Sequence, residues 1–291
     1  MSSLESGPTS HTYFSQRLRL HYVDWGNEGA PPLLLVHGTR DHCRNWDWVA
    51  RALRDRYHVI APDLRGHGDS EWVHGSTYTF ADYIYDIAQL VHQRQLAPLR
   101  IIGHSLGGNI CLQYTGVFPG RVHKVVSIEG LGPPPNVARA RADRPIHERY
   151  RQWIESQRQL AGRLPRRYAS LDEAAIRMKS ANRRLSDEHA WHLTLHGMHQ
   201  NEDGSFSWKF DNYVRVFSPY RGQISEAREL WAQIDCPVLL VRGAESWVSD
   251  PEMDGRVGAF RDARVVTLEK AGHWAHHDQL DAFLEHVTAF L

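Results

Sequence analysis

The stretch LRIIGHSLGG, residues 99–108, joins a short apolar run to a cluster of small residues around one serine. The apolar run is typical of a buried strand, and a helical pattern follows over residues 106–117. Gly103, Ser105 and Gly107 form the pattern G-x-S-x-G, in which small residues let the chain turn so sharply that the serine side chain projects from the turn. This stretch therefore predicts a strand, a tight turn and a helix, with Ser105 exposed as a candidate nucleophile.

Similar apolar runs flank this stretch and alternate with helical patterns. Such alternation predicts right-handed βαβ units, and hence an α/β fold with a mostly parallel, doubly wound sheet that has helices on both faces. Period-two apolar residues over 13–25 predict an antiparallel hairpin ahead of the parallel strands. The predicted buried strands are 33–36, 59–61, 101–102, 125–128, 238–241 and 265–268, and the predicted helices are 46–53, 80–93, 106–117 and 280–290.

The alternation stops between residues 133 and 230, where helical signals replace the strand-like runs. Ser170 and Glu173 form a capping box, and Ser186 begins a second signal for a helix N-terminus. We therefore expect a helical insertion in the α/β core. The predicted organisation is a flexible N-terminal tail (1–12), a core (13–132 and 231–291) and a helical cap insertion (133–230).

The composition excludes several classes of protein. The 291 residues include 34 Lys and Arg and 34 Asp and Glu, so no net charge attracts the chain to nucleic acid. The apolar runs fall far short of the roughly 18 residues that a membrane span requires. Residues 1–10 have neither the basic nor the apolar segment of a secretory signal, and Cys43, Cys111 and Cys236 form no CxxC pair. We therefore expect a cytoplasmic protein without disulfides, a monomer or homodimer that acts on a small molecule.

A serine hydroxyl is a weak nucleophile, so Ser105 needs a base that takes its proton and a carboxylate that orients this base. In open parallel sheets such groups are expected on loops at the carboxyl ends of later strands. His273 follows Gly272 at the apex of the loop after the last predicted strand, which makes it the candidate base. His276 and His277 fall at the start of the final helix. No carboxylate spacing here resembles H-E-x-x-H, so we expect no metal site in this cluster.

Three further motifs accompany the serine motif: Val36-His37-Gly38-Thr39, the octapeptide DLRGHGDS from Asp63 to Ser70, and Ala271-Gly272-His273. With these motifs the chain resembles the α/β-hydrolase fold superfamily from about residue 13 to its last residue. The resemblance implies an eight-stranded, mostly parallel sheet, with a helical cap often inserted after the sixth strand, and residues 133–230 fit that cap. It also implies that the backbone N–H groups of Thr39 and Leu106 form an oxyanion hole, where each donor stabilises the developing alkoxide by about 2.7–4 kcal/mol.

The acid departs from the commonest pattern of this superfamily. That pattern has an aspartate three residues after the glycine that ends the seventh strand, but here Gly243 is followed at that offset by Ser246. Glu245 and Asp250 lie nearby in the sequence. Glu129 closes an apolar strand 24 residues after the nucleophile, which resembles the register of those members, including certain haloalkane dehalogenases, that have the acid after that strand. We expect Glu129 to be the acid, with Glu245 as the alternative.

These residues together predict a serine hydrolase that needs no cofactor and no metal. The expected reaction is cleavage of a carboxylic ester, or of a related acyl bond in a lactone or thioester, through an acyl-enzyme. Its substrate is expected to be small to medium and partly apolar. A serine at 105 argues against haloalkane dehalogenase and epoxide hydrolase activity, for which those relatives use a carboxylate. Carbon–carbon bond hydrolysis or acyl transfer on the same triad remain alternatives, as does a non-catalytic ligand receptor that retains the fold.

Several aromatic side chains and histidines are candidates for contact with the substrate. They are His37, His104, Trp208 and Trp274, although His104 is also interpreted as a structural neighbour of the nucleophile. Aromatic residues at helical spacing more often fill a packed interior than line a pocket. The candidates for a roof over the site are Trp153, Trp191, Phe206, Trp208, Phe210 and Phe217.

His192, His196 and His199 share one face of a predicted helix. They could bind a metal or a substrate carboxylate. We interpret them as surface or packing residues.

Overall fold

A computed structural model describes residues 7–75, 78–216, 218–220 and 224–291. Eight of its strands form one sheet, and their order across the sheet is β1 (Thr9–Ser15), β2 (Leu18–Asp24), β4 (His58–Pro62), β3 (Pro32–Val36), β5 (Leu99–His104), β6 (Val122–Ile128), β10 (Val238–Gly243) and β11 (Ala263–Leu268). β2 is antiparallel to both of its neighbours, and the other six strands after it in this order, β4, β3, β5, β6, β10 and β11, are parallel to one another. The mostly parallel, eight-stranded sheet that the sequence predicts is therefore confirmed.

Helices cover both faces of the sheet, so its central strands are buried and almost wholly apolar. Successive residues of a strand point to opposite faces: Leu34 packs with one group of helices, and Leu33 and Leu35 pack with the other. One face is covered by α2 (Phe80–Gln93), α3 (Leu106–Val117) and α8 (Ile224–Gln233), the other by α1 (Asp47–Leu53) and α10 (Leu280–Phe290). This arrangement confirms the doubly wound fold.

The first strand begins earlier than the sequence predicts. Residues 9–12, which we assigned to a flexible tail, pair in antiparallel register with the end of β2, from Thr9 opposite Asp24 to Thr12 opposite His21. These four residues are polar and exposed because β1 lies at the edge of the sheet. They carry no apolar alternation, so the sequence gives no sign of the strand.

The insertion is mainly helical, as the sequence predicts. Its helices are α4 (Pro135–Ala142), α5 (Ile146–Leu160), α6 (Leu171–Ala181) and α7 (Asp187–Gly197). The Ser170 hydroxyl accepts a hydrogen bond from the Glu173 N–H (3.2 Å), and the Ser186 hydroxyl accepts one from the His189 N–H (3.0 Å), so both predicted N-caps form. A small antiparallel sheet that the sequence does not predict lies in the same segment: β7 (Arg167–Tyr168), β8 (Met198–Gln200) and β9 (Phe206–Trp208). Strands of two or three residues are too short to show a period.

α8 crosses the predicted boundary at residue 230, where we expected the core to resume. It packs against α3 so closely that a side chain on Gly116 would collide with the Leu230 carbonyl, and Trp231 is fully buried. α8 therefore belongs to the layer that covers the sheet. The chain closes with α9 (Ala275–Asp278) and α10. Among the helices described here, none is long and apolar enough to span a membrane.

Candidate active site

Ser105 occupies the turn between β5 and α3 in a strained backbone conformation, with φ 52° and ψ −114°. Non-glycine residues rarely adopt positive φ, and such strain is concentrated at functional sites. The glycines on either side are required for the close approach of the two elements. A Cβ atom on Gly103 would lie 2.6 Å from the Gly107 carbonyl oxygen, and one on Gly107 would collide with the Val36 carbonyl. The turn thus has the geometry that the G-x-S-x-G pattern predicts.

His273 meets Ser105 from the loop between β11 and α9. Its Nε2 lies 2.9 Å from Ser105 Oγ, a hydrogen-bond distance at which the imidazole can take the hydroxyl proton. The loop is fixed from both sides, because the Gly272 N–H donates to Asp278 (2.8 Å) and the Gly243 Cα packs against the Gly272 carbonyl. The side chain of His273 remains 23% exposed, so a reactant can reach it.

Glu129 lies on the Nδ1 side of the His273 ring. Its Oε2 lies 3.3 Å from His273 Nδ1, and its side chain has no exposure to solvent. The Gly243 N–H donates to Oε1 (2.8 Å) and the Ser246 hydroxyl donates to Oε2 (2.7 Å). Buried carboxylates need such donors to balance the loss of water. The geometry brings Ser105, His273 and Glu129 into one hydrogen-bonded line.

Ser246 is the site residue that the sequence did not assign. It stands where the commonest pattern of the superfamily has the acid, and its hydroxyl contacts the same Glu129 oxygen that faces His273. The offset from Gly243 was visible in the sequence, but only the fold shows that this position faces Glu129.

Glu245, the alternative acid, does not contact His273 in the hydrogen bonds and ion pairs of the described residues. Glu245 forms an ion pair with Arg184 of the insertion, and its side chain is 51% exposed. Asp250 pairs with Arg242 at 3.1 Å. Neither contact involves His273, so the geometry favours Glu129 over Glu245.

The two predicted oxyanion donors belong to segments that flank Ser105. Leu106 is the first residue of α3, where backbone N–H groups have no acceptor within the helix. Thr39 follows Gly38, and a Cβ atom on Gly38 would lie 3.2 Å from Ser105 Cβ and 2.8 Å from His104 Nδ1. The Gly38 backbone therefore packs directly on the nucleophile, beside the N-terminus of α3. The positions are suited to an oxyanion hole.

His37 and His104 contact protein groups, which corrects their prediction as substrate contacts. His37 is buried, donates to the Gly38 carbonyl (2.7 Å) and accepts from the Leu64 N–H (3.0 Å), and burial lowers its pKa to about 3. His104 is also buried and donates to the backbone carbonyl of His273 (2.9 Å). Burial, followed by the neighbouring His273, holds the pKa of His104 well below its usual value. Both are neutral residues that support the loops of the site.

The predicted tryptophans lie at the insertion. Trp208 is half-buried and packs in a small apolar cluster, with its ring centroid 6.1 Å from that of Tyr168. Trp274 directly follows His273 and packs against a second cluster that includes Leu193 of α7. Trp274 therefore joins the loop of the candidate base to the insertion. Phe217, the last of the predicted roof residues, lies outside the described residues.

His192 and His196 take part in a network of hydrogen bonds and ion pairs between α7 and the core. His199 lies in β8, outside the helix on which the sequence placed all three histidines. His192 Nε2 lies 3.2 Å from Asp47, whose carboxylate Arg44 binds with both Nε and a terminal nitrogen. Arg44 also donates to His196 Nδ1 (3.3 Å). The ligand atoms of Asp47, His192 and His196 are close enough to hold a metal ion, but the Arg44 guanidinium already supplies the positive charge.

The chain is similar in sequence and in fold to known proteins. A family model described as alpha/beta hydrolase fold matches residues 31–280. The sn-1-specific diacylglycerol lipase ABHD11 of Xenopus laevis is 28% identical over 269 residues, which cover 91% of this chain and 81% of the relative. Epoxide hydrolase 4 of Homo sapiens is 25% identical over 287 residues, which cover 94% and 76%. The solved thioesterase domain from the curacin biosynthetic pathway has a TM-score of 0.84 at 22% identity, and the match covers 97% of this chain and 100% of that one.

Proposed function

Because the chain belongs to the alpha/beta hydrolase fold family, we propose that it is a serine hydrolase that cleaves carboxylic esters through an acyl-enzyme. The observation that carries this proposal is the line of hydrogen bonds from Ser105 through His273 to Glu129, with distances of 2.9 and 3.3 Å. A hydroxyl, an imidazole and a buried carboxylate in this order are the parts that nucleophilic acyl transfer requires.

In the first half of the reaction, Ser105 Oγ attacks the carbonyl carbon of the ester while its proton moves to His273 Nε2. The Glu129 carboxylate accepts a hydrogen bond from the Nδ1–H group of His273. This bond fixes the tautomer and stabilises the imidazolium that forms. The N–H groups of Thr39 and Leu106 donate to the oxyanion of the tetrahedral intermediate. His273 then gives its proton to the leaving alcohol oxygen, the carbon–oxygen bond breaks, and Ser105 is acylated.

In the second half, water replaces the alcohol. His273 Nε2 takes a proton from the water molecule as its oxygen attacks the acyl carbonyl. Collapse of the second tetrahedral intermediate breaks the bond to Ser105 Oγ, which takes back a proton from His273. The carboxylic acid leaves, and the residues return to their starting protonation states.

Nucleophile chemistry distinguishes an ester substrate from an epoxide. Attack of a serine oxygen on an epoxide carbon would form an ether, which water does not hydrolyse under mild conditions, whereas an acyl-serine is an ester that water can hydrolyse. The side chain at position 105 is a hydroxyl, and no carboxylate takes its place in the turn. The likeness to a relative named as an epoxide hydrolase therefore does not favour that activity here, and the likeness to a relative named as a lipase supports ester hydrolysis.

The test compares wild-type protein with Ser105→Ala on a series of p-nitrophenyl esters from acetate to dodecanoate. We expect hydrolysis by the wild type and a loss of kcat of about 10⁴-fold or more in the variant, since the removal of a triad nucleophile has effects of this size. Circular dichroism and the unfolding midpoint check that both proteins are folded. Labelling with a fluorophosphonate probe should modify the wild type and spare Ser105→Ala. The absence of both hydrolysis and labelling in the wild type would refute the proposal and favour a ligand receptor.

A further inference from the structure

Trp247 is a large, exposed apolar side chain beside the candidate active site. Its side chain is exposed, with 74% of the residue's surface accessible, and it directly follows Ser246, the hydroxyl donor to Glu129. Its indole lies against the imidazole of His273, with ring centroids 5.0 Å apart and an angle of 37° between the planes. One edge of the reaction centre is therefore bounded by a large apolar surface that is open to solvent.

The loop that carries Trp247 is held firmly on both sides of the indole. The Glu245 N–H donates to the Ala271 carbonyl (2.9 Å), and the Ser246 N–H donates to the Gly243 carbonyl (3.1 Å). On the other side, Val248 is buried and its N–H donates to Ser246 Oγ (3.2 Å). Because the loop is already ordered, a ligand that packs on Trp247 loses little binding energy to ordering it.

The chemistry proposed for His273 indicates which part of a substrate meets Trp247. His273 Nε2 must reach the leaving alcohol oxygen to protonate it, so the alcohol part of the ester lies beside the His273 ring. The Trp247 indole, which packs on the same ring, borders that space. The charged neighbours Glu245 and Arg184 pair with each other, and the exposed indole lies beside this ion pair in the sequence. A ligand binds an indole mainly by burying apolar or aromatic groups against it.

We propose that Trp247 is a specificity-determining residue that forms an apolar subsite for the alcohol part of the ester. The substrate class is then esters of apolar or aromatic alcohols. This inference rests on the proposed function, because it uses the role of His273 in protonating the leaving group.

The kinetic test compares acetate esters of ethanol and of 1-hexanol, with acid release followed in a pH-stat. For Trp247→Ala we expect kcat/KM on hexyl acetate to fall about tenfold, equivalent to about 1.4 kcal/mol, and kcat/KM on ethyl acetate to change less than about twofold. Trp247→Leu should retain part of the preference for the longer alcohol, since it keeps apolar surface. Phe14→Ala is the matched control, because Phe14 is also exposed (64%) but lies in the edge strand β1.

The dependence of kcat/KM on pH distinguishes a substrate contact of Trp247 from an effect of Trp247 on His273 alone. If Trp247 acted only by stabilising the imidazolium, its removal would lower kcat/KM for both esters equally and shift the apparent pKa of the profile. That result would overturn the inference and leave the proposed function intact.

A binding experiment decides the inference even if no ester is turned over. Hexyl acetate is titrated into Ser105→Ala and Ser105→Ala/Trp247→Ala, and its Kd is measured by saturation-transfer NMR. We expect the second variant to bind about tenfold more weakly. Equal Kd values would overturn the subsite. Absence of Ser105-dependent hydrolysis in the wild type, with the Kd difference present, would instead refute the proposed function and its assignment of the alcohol side, and would leave Trp247 as an apolar ligand contact.

Discussion

His273 and the pair His276 and His277 come from one short stretch of sequence, yet their surroundings differ completely. Both ring nitrogens of His273 face groups that a base needs, a hydroxyl and a carboxylate, and the ring is partly exposed. His276 is fully buried, and its Nε2 donates to Asn45 Oδ1 (2.8 Å). Burial, followed by the neighbouring His277, holds the pKa of His276 well below its usual value.

His277 continues the contrast at the contact between the core and the insertion. Burial, followed by the neighbouring His189, lowers the pKa of His277 to about 3. Its ring centroid lies 5.3 Å from that of His189 at the start of α7 and 6.0 Å from that of Trp48 in α1. The His273 and His276 rings lie equally close to that of His104, with centroids 4.9 and 4.8 Å away, yet only His273 bonds Ser105. A histidine therefore becomes a base through its hydrogen-bond partners and its access to the reactant.

The largest effect should separate His273 from His276. His273→Gln should lower kcat by about 10⁴-fold or more, because the serine loses its base. His276→Gln should cost stability, roughly 1–3 kcal/mol from the loss of a buried hydrogen bond and packing. Its activity per folded molecule should stay close to that of the wild type. Ester hydrolysis and urea unfolding measure the two effects, and equal losses of activity in both variants would contradict the contrast.

The next largest effect should distinguish the two candidate acids. Glu129→Gln keeps the shape of the side chain but removes the charge that orients His273, and we expect kcat to fall by about 10³–10⁴-fold. Glu245→Gln breaks an exposed ion pair with Arg184 and should change kcat by less than about twofold. Steady-state kinetics on one ester suffices. A larger loss in Glu245→Gln than in Glu129→Gln would move the acid to the loop after β10.

The neutral histidines should make stability depend on pH. The pKa of His277 is about 3 in the folded protein, below the value of about 6.5 in an unfolded chain. Between these values the unfolded chain binds the proton, so stability is full above about pH 6.5 and falls as the pH decreases below it. From pH 6.5 to 5, this one group should cost about 2 kcal/mol.

Urea unfolding at pH 7 and pH 5 measures this dependence. His277→Gln removes one titrating group and should flatten the dependence by about the same 2 kcal/mol. The pKa of His189 in α7, whose ring lies beside that of His277, is also lowered by burial. Part of the dependence of stability on pH should therefore remain in His277→Gln. An unchanged slope in His277→Gln would show that other groups cause the acid sensitivity.

The smallest effect should come from Ser246. Ser246→Ala removes one of the hydrogen bonds to Glu129 but leaves the Gly243 N–H in place, so we expect kcat to fall about tenfold, or about 1.4 kcal/mol. Ser246→Thr, which keeps the hydroxyl, should restore most of the rate. A loss as large as that of Glu129→Gln would mean that Ser246 does more than position the carboxylate.

The parts of the fold that the sequence predicts are those that depend on short stretches of sequence. The apolar runs of the parallel strands, the caps of α6 and α7, and the turn around Ser105 each depend on a few neighbouring residues. The first four residues of the edge strand β1 and the small sheet in the insertion are not predicted, because exposure or short length removes the periodicity on which prediction depends. α8 was placed in the insertion because its contact with Gly116 of α3 leaves no local signal.

The sequence by itself determined the fold class, the nucleophile turn and the loop of the candidate base. Tertiary structure decided which carboxylate faces His273, that Ser246 contacts this carboxylate, and that His37 and His104 are buried supports. It also decided that Trp247 stays exposed over the imidazole. The physical reason is distance along the chain. Turn and strand preferences act between neighbouring residues, whereas Glu129 and Ser246 stand 117 positions apart and meet only because β6 and β10 pair in the sheet.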